Sequence, residues 1–255
     1  MYNLIDLANK RLVLVGASKG IGRTTAILLS QLGAQLVLIA RNESGLQDTM
    51  AGLDGTGHVY RQLDITELAA IEVAAKEIVA SVGPIDGIIY CAGITDDRPL
   101  ALLKPDSFDK VMQVNLNGFI ELVRCFTKKC RFNPGMRIVA VSSIASKIGR
   151  KAHLAYSVSK AGINSAVQCM AKELADKKIA VNAVIPGMIQ SEMYTEYLNV
   201  NGGVDSNINR ALLSRQYLGI GESVDIANAI AFLISPAASF ITGVCLPVDG
   251  GFLSN

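Results

Sequence analysis

The 255-residue chain has no tryptophan, only two histidines and almost no excess of one charge, with 24 Lys and Arg against 22 Asp and Glu. A net charge of +2 gives no reason to expect nucleic acid as a partner, and no run of like charges forms a binding tail. Two histidines, His58 and His153, are too few for an imidazole-rich metal site. We therefore predict neither a nucleic-acid partner nor a bound metal.

Long apolar runs are also missing. The most apolar stretches, such as residues 180–185 and 229–234, are interrupted by Pro, Gly or charge well before the roughly 18 residues of a membrane span. The opening MYNLIDLANKR has no apolar segment of the kind found in secretory signals. Five scattered cysteines without a C-x-x-C pair argue against a disulfide framework and fit a reducing compartment. These absences predict a soluble cytoplasmic protein with no membrane partner.

What the chain does have is an alternation of short apolar runs with longer helical patterns. Strands are predicted at Arg11–Val15, Gln35–Ala40, 58–63, Ile85–Tyr90, 137–142, 179–185 and 244–248. Helices are predicted at 22–32, 67–82, 107–129, 155–175 and 224–234. Continuously apolar strands between helices indicate a parallel sheet that is covered on both faces. We expect an α/β fold: one domain over residues 1–255, with a doubly wound, Rossmann-type parallel sheet and helices on both faces.

A glycine-rich turn, Gly16-Ala17-Ser18-Lys19-Gly20-Ile21-Gly22, joins the first strand to the first helix. Glycines let the backbone approach a pyrophosphate, and the free N–H groups of a helix start point at it. The spacing is G-x-x-x-G-x-G, and the Gly-Lys-Ser/Thr of a phosphate-binding P-loop is absent. A simple tight turn is the alternative, but the strand before and the helix after favour a dinucleotide.

The second strand ends at Ala40-Arg41-Asn42, where an acidic residue would select NAD and an arginine suits the 2′-phosphate of NADP. Lys19 adds a second cation nearby, so we predict NADP(H), although Arg41 as a solvated surface charge stays an alternative. Asp64 is a candidate partner for the adenine amino group, or else the N-cap of the following helix. Ala92-Gly93 ends the fourth strand with small residues that a cofactor can pass.

Tyr156 and Lys160 are four residues apart near the start of a helix, and therefore share one face. A tyrosine pKa of about 10 is too high for acid–base work near neutrality, and a neighbouring ammonium lowers it. Ser143 is a candidate hydrogen-bond donor to a substrate carbonyl, and Asn115 is a candidate support for a water next to Lys160. Each residue has a structural alternative: a surface pair for the tyrosine and lysine, a turn cap for the serine, and a kinked helix for the asparagine.

In combination and in this order, the motifs resemble the short-chain dehydrogenase/reductase family over essentially the whole chain. They are Gly16-x-x-x-Gly20-x-Gly22, Asp64, Ala92-Gly93, Asn115, Ser143, Tyr156-x-x-x-Lys160, Pro186-Gly187, Ile241-Thr242-Gly243 and Val248-Asp249-Gly250-Gly251. The branch most similar is that of the 3-oxoacyl-carrier-protein reductases. One departure is Tyr90-Cys91-Ala92-Gly93 in place of the family's Asn-Asn-Ala-Gly, which puts the bracing of the central strand in doubt. We expect Cys91 to be a small buried filler.

The resemblance implies that Tyr156 is the general acid/base, Lys160 lowers its pKa and binds the nicotinamide ribose, Ser143 polarises the carbonyl and Asn115 supports a proton relay. The residues expected to contact NADP(H) are Gly16, Ser18, Lys19, Gly20, Ile21, Gly22, Arg41, Asp64, Ile65, Ala92, Gly93, Tyr156, Lys160, Pro186, Gly187, Ile189 and Ser191. Relatives commonly assemble as homotetramers through the helices at 107–129 and 155–175, so a homotetramer, or else a homodimer, is expected.

Three functions remain open on the sequence. The first is an NADPH-dependent reduction of a ketone, possibly a 3-oxoacyl thioester. The second is a sugar, alcohol or steroid dehydrogenase on the same scaffold, and the third is a non-catalytic NADP-binding regulator. Residues 188–218 are the predicted substrate lid, with Met193, Tyr194, Tyr197 and Leu198 as candidate apolar contacts. A plain surface helix pair is the alternative for this segment.

Overall fold

The computed structural model describes residues 5–192, 194–195 and 213–254. In these ranges nine strands are numbered in chain order: β1 Arg11–Val15, β2 Gln35–Ala40, β3 Val59–Gln62, β4 Ile85–Tyr90, β5 Phe132–Val141, β6 Ala180–Pro186, β7 Ile189–Gln190, β8 Gly221–Glu222 and β9 Cys245–Val248. Seven helices lie in the same ranges: α1 Gly20–Gln31, α2 Glu43–Ala51, α3 Leu68–Val82, α4 Pro105–Met112, α5 Gly118–Phe126, α6 Leu154–Glu173 and α7 Ser223–Ile234.

Seven of the strands form one sheet in the order β3-β2-β1-β4-β5-β6-β9, and every neighbouring pair is parallel. The strand order reverses between β1 and β4: β2 and β3 extend the sheet beyond β1, and β5, β6 and β9 extend it beyond β4. In doubly wound sheets this reversal opens a crevice at the carboxyl ends of the strands, where ligands bind. β7 and β8 make a separate two-stranded ladder close to that edge.

Two apolar cores cover the two faces of the sheet, because successive strand residues point to opposite sides. Val13 and Val15 of β1 pack on one side with buried residues of α3, α5 and α6. Leu12 and Leu14 pack on the other side with buried residues of α1, α2 and α7. The predicted doubly wound parallel sheet with helices on both faces is therefore confirmed.

Besides the short strands β7 and β8, which were not predicted, three larger elements differ from the sequence-based expectation. Helix α2 was not predicted, because its nine residues are mostly polar and only Gly45, Leu46 and Thr49 are buried. Strand β5 starts at Phe132, five residues before the predicted start, and its register shifts after Ile85 of β4, so that only its second half pairs regularly. The helix predicted at 107–129 is two helices joined by one π-helical turn at Gln113–Asn117.

None of the helices within the described ranges is long and apolar enough to cross a membrane. In that same part of the chain, no three His, Cys, Asp or Glu side chains are grouped as metal ligands would be. All five cysteines are free.

Candidate active site

The glycine-rich turn crosses over the end of β4 with no room for side chains. Gly16 has a φ of +85° and Gly20 a φ of +54°, both in the left-handed region that favours glycine. A Cβ on Gly16 would lie 2.6 Å from the backbone nitrogen of Ala92, and one on Gly22 would collide with the carbonyl oxygen of Gly16. Because these collisions are with backbone atoms, substitution at either glycine would force the turn apart.

Helix α1 starts at Gly20 without a side-chain cap, since the preceding Lys19 is exposed and makes no capping hydrogen bond. The first N–H groups of a helix have no partner within it, and they attract anions. Arg23 stabilises the turn around Ser18, because its Nη2 donates a 2.6 Å hydrogen bond to the Ser18 carbonyl oxygen. A rigid, uncapped helix start under a glycine turn fits the pyrophosphate of a nicotinamide dinucleotide.

Arg41 and Asp64 lie together at the edge of the sheet beyond β2 and β3. Arg41 Nη1 is 3.7 Å from Asp64 Oδ2, and both side chains are more than a third exposed. Asp64 Oδ1 accepts hydrogen bonds from the backbone N–H and the hydroxyl of Thr66, at 2.9 and 2.8 Å. Burial raises the pKa of Asp64, but Thr66 and Arg41 outweigh it and hold that pKa below its usual value. Asp64 therefore closes a turn at Thr66 and does not cap α3, whose preceding residue is Glu67.

Tyr156 and Lys160 face the carboxyl end of β5 from the first two turns of α6. Lys160 Nζ lies 5.6 Å from the centre of the Tyr156 ring and donates a 2.8 Å hydrogen bond to the carbonyl oxygen of Val141. Burial lowers the pKa of Lys160 from 10.5 to about 8. Burial likewise raises the pKa of Tyr156, and a hydrogen bond with the Ser143 side chain partly opposes this. In the protein alone, the phenol is thus held in its proton-carrying form.

Asn115 is fully buried in the π-helical turn and all of its amide hydrogen-bonding atoms are engaged. Its Oδ1 accepts from the backbone N–H of Ile94 at 2.8 Å, and its Nδ2 donates to the Ile94 carbonyl oxygen at 3.0 Å and to the Ser159 hydroxyl at 2.9 Å. These bonds fix the segment after β4 against α6. They also fix the position of Gly93. This glycine is so close to Lys160 that a Cβ on it would lie 3.2 Å from Lys160 Nζ. A π-helical turn inside an α-helix frequently marks a functional site.

A pocket of about 200 Å³ opens between these groups. Among the residues predicted from the sequence, those that line it are Ile21, Gly93, Ser143, Tyr156, Lys160, Pro186, Gly187, Ile189 and Ser191. Gly20 lines a second, shallower depression with Ser191, beside Glu192. The predicted positions that line neither are Gly16, Ser18, Lys19, Gly22, Arg41, Asp64, Ile65, Ala92 and Asn115. They form the turn, its support and the adjoining sheet edge.

Cys91 also lines this pocket, and its backbone N–H donates to the carbonyl oxygen of Val15 at 2.8 Å. Burial raises the pKa of the Cys91 thiol to about 12, although the Lys160 charge lowers it. The thiol is therefore held in its unreactive form, as expected for a small filler.

One polar wall of the pocket was missed by sequence reasoning. It contains Thr95, Asp97, Arg150 and His153. His153 Nδ1 lies 2.7 Å from Asp97 Oδ1, and the Thr95 hydroxyl donates to the same oxygen at 2.6 Å. The imidazole ring packs at 4.9 Å, centre to centre, on the ring of Tyr156. Only their places in the sequence could have pointed to these residues. Thr95 and Asp97 closely follow Ala92-Gly93, and Arg150 and His153 closely precede Tyr156.

Apolar side chains also line the pocket, among them Ile144, Ile148, Met188 and Phe252. Tyr194, one of the candidate lid contacts, is buried and lines the pocket. The other three candidates, Met193, Tyr197 and Leu198, lie outside the described residues.

This fold and this site define the class of protein. The chain belongs to the short-chain dehydrogenase/reductase family, whose members are oxidoreductases that use a nicotinamide cofactor and act on CH–OH or C=O groups. A family model described as enoyl-(acyl carrier protein) reductase matches residues 16–253. The predicted family membership is confirmed.

Individual relatives share the whole length of the chain. The 3-oxoacyl-[acyl-carrier-protein] reductase FabG of Vibrio cholerae is 33% identical over 247 residues, which cover 97% of this chain and 98% of that protein. A 7α-hydroxysteroid dehydrogenase, solved with NADH and 7-oxo glycochenodeoxycholic acid, superimposes with a TM-score of 0.88 at 27% identity, with 98% of each chain covered. A blue fluorescent protein from a metagenomic library, solved with NADPH, gives a TM-score of 0.85 at 26% identity, covering 97% of this chain and 99% of that one.

Proposed function

We propose that this protein is an NADP(H)-dependent ketone reductase whose substrate is a 3-oxoacyl thioester. The observation that carries the proposal is the grouping of Ser143, Tyr156 and Lys160 around one pocket beside an uncapped glycine turn. The full-length similarity to a 3-oxoacyl-[acyl-carrier-protein] reductase supports the thioester. The two similar structures were solved with different cofactors, NADH and NADPH, and therefore do not choose between them.

The choice of NADP(H) over NAD(H) is supported by the charges at the end of β2. Arg41 is a cation where an NAD-dependent relative would carry an acid, and its guanidinium is more than half exposed. Lys19 is exposed at the neighbouring turn. The nearest acid, Asp64, is paired with Arg41 and holds it at this edge. These two cations support the proposal that the cofactor carries a 2′-phosphate.

When bound, the nicotinamide supplies the hydride in the reduction or accepts it in the oxidation. The protein supplies position and the proton. Ser143 donates a hydrogen bond to the substrate carbonyl oxygen, and the Tyr156 phenol delivers its proton to the same oxygen as the alcohol forms. Because burial raises the pKa of Tyr156, the phenol keeps its proton until a substrate arrives.

Lys160 has a positioning role in this scheme. Its hydrogen bond to the Val141 carbonyl oxygen holds the ammonium close to Gly93, where a Cβ would lie 3.2 Å from Nζ. A cofactor ribose bound beside Gly93 would give the ammonium a second acceptor. Asn115 fixes the Ile94 backbone, and thereby the position of Gly93. We propose that Asn115 contributes to a proton relay indirectly, by holding this segment in place.

The test is NADPH oxidation with acetoacetyl thioesters by the wild type and by Tyr156→Phe. We expect turnover by the wild type, and a loss of at least about a hundredfold in kcat with unchanged NADPH binding in the variant. Ser157→Ala, next along the helix, is the matched control. Wild-type activity in Tyr156→Phe would refute the proposed acid, and failure of the wild type on every ketone offered, despite NADPH binding, would refute the function.

A steroid, sugar or alcohol substrate is the second candidate. The apolar wall of Ile144, Ile148 and Phe252 favours an extended apolar group such as a steroid, and one structurally similar protein is a hydroxysteroid dehydrogenase. A non-catalytic regulator has less support, because it would not require Tyr156 and Ser143 in one pocket.

We further propose a cytoplasmic homotetramer or homodimer. The predicted substrate lid, residues 188–218, lies in part outside the described residues. Exposed Ile120 of α5, together with Leu154 and Val158 of α6, supports assembly through these helices. Five free cysteines support a reducing compartment.

A further inference from the structure

Besides the proton donor, the substrate pocket contains an Asp97–His153 pair next to Tyr156. This pair has no part in the mechanism above. Asp97 belongs to the segment that follows β4, and His153 directly precedes α6. The two residues are far apart in the chain, and the fold brings both to the wall of the same pocket.

The orientation of His153 is fixed from one side. Its Nδ1 lies 2.7 Å from Asp97 Oδ1, a direct contact between the ring and the carboxylate that is not aligned as a hydrogen bond. Burial raises the pKa of Asp97, but the contact with His153, the hydrogen bond from Thr95 and the nearby Arg150 lower it below its usual value. Asp97 is therefore an anion beside the Nδ1 edge of the ring. Nε2 is the ring nitrogen that does not contact Asp97, and His153 lines the pocket.

The backbone around His153 is also unusual. Ala152 has a φ of +60°, in the left-handed region that alanine rarely adopts. Such strain persists where surrounding contacts enforce it, often at ligand sites. The neighbouring His153 is in contact with Asp97, and its imidazole packs on the Tyr156 ring at 4.9 Å.

We infer that His153, oriented by Asp97, is a specificity-determining residue that donates a hydrogen bond from Nε2 to a second oxygen of the substrate. Tyr156 and Ser143 bind the carbonyl that is reduced. His153 is the adjacent donor, so the matching substrate carries another acceptor oxygen close to that carbonyl. A 3-oxoacyl thioester, with one carbon between its two carbonyl groups, has this pattern. The inference rests on the proposed function and names the group of the substrate that is recognised.

Two probes that differ in one oxygen test the inference. The first is the acetoacetyl thioester of N-acetylcysteamine, and the second is the matched thioether ketone in which a methylene replaces the thioester carbonyl. The measured quantity is the ratio of kcat/KM for the two probes, determined with NADPH. Because the thioester carbonyl also activates the ketone chemically, the informative value is the change in this ratio between variants.

In His153→Leu we expect the ratio to fall roughly threefold to tenfold, the range for one hydrogen bond. His153→Gln keeps a neutral donor and should recover part of the preference. His58→Gln, at the other histidine, is the matched control and should keep the wild-type ratio. An unchanged ratio in His153→Leu, or equal ratios in the leucine and glutamine variants, would overturn the inference.

An NMR measurement on the unaltered protein does not depend on turnover or on the folding of a variant. With ¹⁵N-labelled histidine, the protein gives signals from two imidazoles, and His58→Gln identifies those of His153. In the presence of NADP⁺ the ketone probes are not reduced. The Nε2 signal of His153 should shift with saturating thioester and not with the thioether. Equal shifts with both, or none with either, would exclude the hydrogen bond.

The kinetic comparison and the NMR titration together distinguish a failure of the inference from a failure of the proposed function. If the wild type reduces neither probe, the proposed function fails, and the NMR titration decides on His153 alone. If both probes are reduced with a ratio that His153→Leu does not change, the function stands and the inference is wrong.

Discussion

Replacing Lys160 by methionine should make the protein more resistant to unfolding relative to the wild type at neutral pH, and this advantage should vanish in alkali. Burial lowers the pKa of Lys160 from 10.5 to about 8. In the unfolded chain the lysine is in water and keeps its ordinary pKa. Below pH 8 the folded protein therefore holds a buried ammonium, at a cost that the methionine variant does not have.

The size of the effect follows from the pKa values. Each tenfold change in a protonation equilibrium corresponds to about 1.4 kcal/mol, so the depression of the Lys160 pKa corresponds to about 3 kcal/mol of lost stability. Between about pH 8 and pH 10.5 the unfolded chain binds more protons at this site than the folded one. Stability of the wild type, compared with Lys160→Met, must rise through that window. Below pH 8 the difference should be constant.

The assay is urea unfolding of both proteins at several pH values from 7 to 10.5, without cofactor. We expect the difference in the free energy of unfolding to change by about 3 kcal/mol across this range. Other alkaline titrations, including that of Tyr156, occur in both proteins and cancel to first order. Lys151→Met, at an exposed lysine, is the matched control, and its difference from the wild type should not depend on pH. A pH-independent difference for Lys160→Met would refute the burial of a charged lysine.

Two shorter predictions concern the cofactor edge and the π-helical turn. Arg41→Glu should lower the kcat/KM ratio of NADPH over NADH roughly tenfold to a hundredfold, because a carboxylate replaces a charged donor to the 2′-phosphate; an unchanged ratio would contradict that role. Asn115→Ala should cost about 3 kcal/mol in urea unfolding, since it leaves the Ile94 backbone groups and the Ser159 hydroxyl without their partner. A loss under about 1 kcal/mol would mean that water replaces the amide.

The parts of the fold that follow from local pattern could be predicted from the sequence. Strand β2 has the bounds expected for it, because five successive apolar residues between turn signals indicate a buried strand. Helix α2 escaped prediction since its stabilising contacts are with the neighbouring turn: Gly45 packs on Ser18, and the Thr49 hydroxyl donates to the Ala17 carbonyl oxygen at 2.8 Å. Its own sequence carries too few apolar residues to show a helical face.

The candidate site likewise contains residues that local sequence patterns reveal and residues that only the packing of the fold brings together. Tyr156 and Lys160 are linked by helical spacing, and the glycine turn by contiguity, so each is visible in one stretch of sequence. Asp97 and His153 are linked only by the way β4 and α6 pack, and no local pattern joins them. The direction of the Tyr156 pKa is equally invisible to the sequence, because burial by the folded chain outweighs the neighbouring hydrogen-bond donor.

The position of Phe252 in the pocket wall has a consequence for the order in which the molecule is made. Phe252 follows β9, at one edge of the sheet, whereas Ile21 on the same pocket comes from the start of α1. During synthesis the glycine turn leaves the ribosome first, but the cavity is not closed until β9 has paired with β6. The glycine-rich turn is therefore synthesised well before the residues that close the pocket.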